Sequence, residues 1–591
     1  MKKILSLTTF LMLLAITISS CGKKDGVGEN KYGLSTKNNV VWWVASDPTN
    51  VIPPLVHDAA GQYASQFIWE PLNSVQPRTQ ELIPWIASLP EMSADHLTYT
   101  YTINPKAHFN DGHPVTGEDV MFTFKCVMNP VNAETTQSRS VLESVDSVAY
   151  VNGDKMKVAF YLNKPYFQMD RVLGGGYEPI MPKHIFDPEN MTDKMAWKDI
   201  KKGNSKDPVY KAQMELFNNP DHSRNPKFMI GTGPYIYQEW KTNDHITFKR
   251  DDKYWAKDMP WGECYLDQII LKTITDNNAA VTALKAKDID FMDLVPSALY
   301  MQIDTAKLPF IRKDTVYYNS RTYVEWNNSR PLFKSKKVRW ALSHLINRDQ
   351  LVRDIYKGLG RPTNGVINFT QPHYDATLKP IEYNPDLAKS MLAEEGWTAN
   401  SDGILHKIID GHDMPFEFTF YLPAGSDVAK QSALVISEAM RKIGIKAEVS
   451  IKEWTVWIND VRAHNFDASI ANIGGNATED DPYELWHSSQ AKNKGQNVTA
   501  YMNPEVDKLL EQNRTSFDFA ERDVLMKKFQ QIMYEDMPIT PLFSQPVRLA
   551  RLDRFDNVEF YRQRPCISVP LWVVRGSGAK VKPGAVSNFP Q

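Results

Sequence analysis

The chain has 591 residues, 42% of them apolar, enough for about two or three compact units with real cores. Its net charge of −2 argues against a nucleic-acid partner, because gripping phosphates needs a basic surface. Beyond Cys21 three cysteines remain, Cys126, Cys264 and Cys566, an odd count that excludes a full disulfide framework while allowing one bond, and no CxxC spacing suggests zinc.

The N-terminus reads as an export signal. Lys2 and Lys3 give a positive start, residues 4–18 are apolar apart from Ser6, Thr8, Thr9 and Thr17, and the small Ser19 and Ser20 precede Cys21. Ile18-Ser19-Ser20-Cys21 resembles the bacterial lipobox, so residues 1–21 are expected to form a lipoprotein signal ending at a lipidated Cys21. Each acyl CH2 buried in a bilayer contributes about 0.8 kcal/mol, which holds the protein at a membrane surface. Residues 22–37, rich in Gly, Lys and Asn, read as a flexible tether. Gly22 is not the aspartate that retains some lipoproteins at the inner membrane, which tilts the expectation towards the outer one.

Further along, strand and helix signals alternate without a fixed repeat, as in a mixed α/β protein. Residues 99–103 and 157–162 alternate as strands do. Between them, Asn110-Asp111-Gly112 is a turn sequence, and Thr116-Gly117-Glu118-Asp119 has capping-box form ahead of the stripe Val120, Phe124 and Val127. Gly231-Thr232-Gly233-Pro234 bends the chain into a strand at 235–237. From Ser335 onward, Val338, Ala341, Leu342, Leu345 and Ile346 recur at helical spacing. Asn384-Pro385 opens a helix that Gly396 ends. Asp518 and Glu521 cap a late helix with Val524, Leu525, Phe529 and Ile532 as its apolar positions. Trp454 and Trp457 read as core residues, and the unpatterned residues 576–591 as a disordered tail.

Five segments, in order, carry a family resemblance. They are residues 109–120 (Phe-Asn-Asp-Gly-His-Pro-Val-Thr-Gly-Glu-Asp-Val), Met181-Pro182-Lys183-His184, and Gly231-Thr232-Gly233-Pro234-Tyr235. The fourth is Tyr323-Val324-Glu325-Trp326-Asn327-Asn328 leading into Val338-Arg339-Trp340-Ala341-Leu342, and the fifth runs from Asn384 to Glu395-Gly396-Trp397. Together they resemble the family 5 extracellular solute-binding proteins, the oligopeptide- and dipeptide-binding components of ABC importers. The resemblance covers roughly residues 40–575.

It implies an α/β, two-lobed periplasmic-binding-protein fold, type II-like and hinged, with an extra domain on the first lobe. Lobe one would comprise 38–75, 228–318 and 542–575, the extra domain 76–227, and lobe two 319–541. The hinge crossings would fall near 318–323 and 541–546. The implied protein is a monomer with no cofactor and no metal. It binds a peptide or other small ligand and works with ABC permease and ATPase subunits. Its implied place is the periplasmic side of a bacterial membrane or the cell surface.

Two segments are candidates for holding ligand. If residues 321–326 form a strand, period-two geometry puts Arg321, Tyr323 and Glu325 on one face, suited to a solvated cleft, and Thr322, Val324 and Trp326 on the other. In the family it resembles, the positions matching Tyr323 and Glu325 line the ligand cleft. The second segment is the loop 474–482, giving Asn476, Thr478, Glu479 and Asp480. Peptide-binding members carry an aspartate four residues before the loop's proline, pairing with the peptide's α-ammonium. Counting back from Pro482 lands on Thr478. Glu479 or Asp480 then supplies the charge from a shifted loop, or the ligand has no free amine. Without ligand, Glu479-Asp480-Asp481 reads as a solvated acidic turn before a helix at Tyr483.

Two alternatives accompany peptide capture: the same fold binding a nickel chelate, haem or oligosaccharide, and an exported hydrolase. The second is disfavoured because no GxSxG elbow and no HExxH occurs. The pairs His108 with His113 and His406 with His412 also lack the spacing that sets two ligands on one helix face.

Overall fold

The computed structural model of the protein describes residues 32–176, 178–203, 206–475, 478–492, 495–563 and 565–579. Cys21, the export segment, most of the tether and most of the tail lie outside the described residues. Among the described residues, no helix is long and apolar enough to cross a membrane.

The first lobe is built on a seven-stranded sheet. Its order is Ile311–Tyr317, Pro546–Leu552, Phe291–Met292, Asn39–Val44, Gln268–Thr273, His245–Arg250 and Tyr235–Lys241. The Val-Val-Trp-Trp-Val run of Asn39–Val44 sits centrally, parallel to both neighbours. Central parallel strands are covered on both faces, which is why this one is apolar at consecutive positions. Trp42 stacks on Tyr63 at 4.5 Å, and its indole N–H donates to Asp293 Oδ1 at 3.1 Å.

The second lobe has a six-stranded sheet. Its order is Arg361–Pro362, Ile539–Ser544, Ser320–Trp326, Ala468–Gly474, Glu417–Pro423 and Lys446–Lys452. The chain leaves the first sheet after Tyr317 and enters the second at Ser320; it returns between Ser544 and Pro546. The registers Tyr317↔Pro546 and Thr322↔Phe543 place these two crossings side by side. Two short adjacent connections between rigid sheets are the parts of a hinge.

A four-stranded antiparallel sheet, in the order Glu91–Met92, Thr98–Thr102, Asp154–Leu162 and Val145–Val151, forms a third unit with its own core. The helix Gly117–Val127 packs into that core through Val120, Phe124 and Val127, the stripe expected from their spacing. Its capping box is complete: Thr116 Oγ1 accepts from the Glu118 N–H at 3.2 Å, and Asp119 Oδ2 accepts from the Thr116 N–H at 2.9 Å. Asp119 Oδ1 also accepts from the Lys183 N–H at 2.9 Å, so the cap ties two family segments together. Thr116→Ala is expected to cost about 1 kcal/mol, read as a lower urea midpoint; an unchanged midpoint would show that the cap is idle.

Two expectations fail. Val524 lies on the solvent side of its helix at 68% exposed, and the buried positions of Phe519–Asp536 are Arg522, Met526, Phe529, Gln530 and Met533. Val524 lies five residues before Phe529, about 140° round the helix from it, and Arg522 and Gln530 are buried because they bond inward, to Glu479 and to the His373 carbonyl. Of the tryptophan pair, Trp457 is buried but Trp454 is exposed and leans on it with ring centroids 5.0 Å apart.

Candidate functional site: a cleft shared by three units

A cleft of about 860 Å³ opens where the three units meet. The extra unit contributes residues 77–80 with Phe167, Gln168, Asp170 and Arg171. The second lobe contributes residues 369–372, Thr478, Glu479 and Arg522, and the C-terminal part of the first lobe contributes residues 560–562. A concave space of this size with aromatic walls and a few charged groups suits a small ligand.

The strand Ser320–Trp326 forms as its alternation predicts, but all seven of its residues are buried. Val324 and Trp326 join the sheet's core, with Trp326 edge-on to Phe418 at 6.0 Å. The opposite face is not solvated as expected. The helices Pro504–Thr515 and Phe519–Asp536 cover it, and Tyr323 packs with Trp486, Leu510, Met526 and Phe529. Glu325 is 4% exposed, and burial pushes its carboxyl up to about 7. Neither Tyr323 nor Glu325 lines the cleft.

The acidic loop is likewise not a solvated turn, since each of its three acids has its own arginine. Asp480 pairs with Arg321, both buried, and accepts from Asn319 Nδ2 at 2.6 Å. Glu479 receives both Nε and Nη2 of Arg522 at 2.8 Å. Asp481 receives Arg514 Nε at 2.7 Å. Burial opposes charge on Glu479, but hydrogen bonds from His373 and Arg522 outweigh it and hold the carboxyl down at about 2. Bidentate guanidinium pairing is among the stronger polar contacts and leaves such a carboxylate little capacity for another cation.

The same loop fastens the extra unit to the second lobe. Gln168 Nε2 donates to the Glu479 carbonyl at 2.7 Å, and Tyr166 donates its hydroxyl proton to Asp481 at 3.1 Å. Arg522 lies over the Phe167 ring at 4.4 Å, and His96 stacks on Phe517 at 3.7 Å.

The expected set therefore divides. Thr478 and Glu479 line the large cleft. Arg321 and Asp480 line a neighbouring cavity of about 500 Å³ between the extra unit and the second lobe. Asn476 lies outside the described residues. Sequence reasoning missed the arginines of the cleft, namely Arg78, Arg171, Arg522 and Arg562. Only Tyr561-Arg562, a basic residue beside an aromatic, gave any local sign.

One trio among the described residues has metal-ligand geometry: Asp111, His113 and His184, with ligand atoms within 4.8 Å of one another. Asp111 Oδ2 already meets His184 Nε2 at 2.7 Å and His113 Nδ1 at 3.2 Å. These contacts tie the Asn-Asp-Gly turn to the Pro-Lys-His segment without an ion, away from the cleft lining.

Comparison with known proteins agrees with this architecture. The model of the bacterial extracellular solute-binding proteins, family 5 (middle), matches residues 81–496. The oligopeptide-binding protein AppA of Bacillus subtilis (strain 168) is 28% identical over 586 residues, covering 97% of this chain and 98% of its own. The structure of AppA in complex with a nonapeptide superposes with a TM-score of 0.71 at 26% identity, over 91% of this chain and 98% of that one. NikZ of Campylobacter jejuni in complex with Ni(L-His) shares the fold, with a TM-score of 0.72 at 21% identity over 91% and 99%.

Proposed function

This chain belongs to the bacterial extracellular solute-binding proteins of family 5, and from that premise we propose that it captures peptides between its lobes and delivers them to the permease of an ABC-type importer. A substrate-binding role on the outer side of the membrane, without covalent chemistry, follows from the family itself. The observation that carries the finer reading is the 860 Å³ cleft, whose walls come from both lobes and the extra unit. A molecule held there touches both sides of the hinge, so it favours the closed state by its differential contacts. Likeness to AppA supports a peptide as that molecule. In this reading the protein works as a monomer held at the membrane by lipid on Cys21.

One observation favours a second reading, a non-peptide ligand in the same cleft. Counting back four residues from Pro482, as the family's spacing has it, gives Thr478 rather than an aspartate, and the neighbouring acids are taken up by arginines. A fold neighbour that holds Ni(L-His) is consistent with such a ligand.

Native mass spectrometry of the protein as purified, before and after denaturation, separates the two. A ladder of peptides supports the first reading, and one non-peptide adduct overturns it. Thr478→Asp tests the loop: a new carboxylate facing an α-ammonium is expected to tighten binding of free-amine peptides by roughly tenfold. Unchanged affinity in calorimetry would place the amine site elsewhere.

A further inference from the structure

The charges lining the cleft do not cancel. Arg78 is matched by Glu559, its Nε 2.7 Å from the carboxylate, and Arg522 by Glu479. Arg171 and Arg562 meet no carboxylate within ion-pair distance among the described residues. Arg171 Nη2 donates to the Gln80 carbonyl, and Arg562 Nη1 donates to the Thr370 carbonyl at 3.4 Å. Carbonyls orient a guanidinium but do not neutralise it. Asp170 also lines the cleft, with its Oδ1 accepting the Arg171 backbone N–H at 2.8 Å. The Arg562 contact reaches from the first lobe to the second, so this cation sits where closure narrows the cleft.

From this arrangement we infer that the cargo is anionic: its carboxylate or equivalent anion is received by Arg171 and Arg562, which outnumber Asp170, among the described residues the one lining carboxylate that no arginine fork holds. The inference rests on the cleft being the capture site. Asp170 offsets part of the charge on Arg171, which leaves one cation in surplus; enclosing that surplus on closure is costly, and an anionic ligand removes the cost. Guanidinium is the side chain whose planar fork matches a carboxylate. The loss of acid at Thr478 and the surplus of arginine across the cleft thus point the same way. Phe167, Phe369 and Tyr561 add apolar walls for the rest of the molecule.

The test compares two pentapeptides of equal length by calorimetry on the full purified protein. One is N-acetylated, rich in glutamate and ends in a free carboxylate; the other is neutral, with a free amine and a C-terminal amide. The acidic peptide is expected to bind at least about tenfold tighter, with Arg171→Ala and Arg562→Ala each removing about tenfold or more. Arg562 is exposed, so its variant should unfold as the parent does, and Arg562→Lys should recover part of the affinity. If the neutral peptide binds as well or better, the anionic preference is wrong while peptide capture stands. If no peptide binds but citrate does, with the same arginine dependence, the anion site stands and peptide capture falls. If neither peptide nor citrate binds, both fall.

Discussion

Arg321→Ala is expected to destabilise the second lobe by about 3–5 kcal/mol, the cost of removing one partner of a buried ion pair. Arg321 and Asp480 are 7% and 9% exposed at the side chain, so water cannot replace what the substitution removes. Among the described residues, Asp480 would keep Asn319 as its donor, at 2.6 Å. The penalty comes from the stranded carboxylate more than from the lost contact. Arg321→Ala with Asp480→Ala together should therefore lose less than Arg321→Ala alone, and a double-mutant cycle reads that difference. Urea unfolding followed by tryptophan fluorescence measures both. A single-variant loss of under about 1 kcal/mol would place this pair with exposed ones. Ligand affinity is expected to suffer as well, because the pair anchors the loop that presents Thr478 and Glu479 to the cleft.

The second large effect concerns Glu325 and pH. Its carboxyl stands at about 7 in the folded protein against 4.5 when free, with burial as the cause. The folded state thus holds the proton more tightly than the unfolded one. That contribution is full below pH 4.5 and is lost as pH rises through 7, amounting to about 3 kcal/mol. Glu325→Gln, which keeps the shape and cannot ionise, should be more stable than the parent at pH 8 and similar to it at pH 4. Glu70 and Glu178 are pushed up to about 7 and about 8 by burial, so the parent's stability falls with pH for these reasons too. The informative quantity is the difference between parent and variant across pH 4–8. A constant difference would mean that the Glu325 carboxyl titrates in the folded protein as it does in the unfolded chain.

Much of the scaffold was legible because its signals are local. The Thr116–Asp119 cap, the Asn384-Pro385 helix start and the left-handed Gly396 that follows that helix (φ +86°) each depend on residues a few positions apart. Strand alternation at Ser320–Trp326 also depends only on near neighbours, and Val324 and Trp326 do enter the core. What covers the strand's other face depends on two helices almost two hundred residues later, and nothing in the strand itself reports them.

The acidic loop before Pro482 shows the same division. Its acidic composition was plain in the sequence, yet charge count does not say whether a carboxylate is available. Asp480 lies 159 residues from the arginine that neutralises it, and Glu479 lies 43 residues from Arg522. Arg171 and Arg562 come from different units and share a cleft only because the chain crosses the hinge twice. The sequence alone determined the export-like N-terminus, the ordered family segments and the threonine four residues before Pro482, each readable from residue type and close spacing. The sign of the cleft was decided by tertiary structure, because Coulomb pairing acts through space and the partners are far apart along the chain.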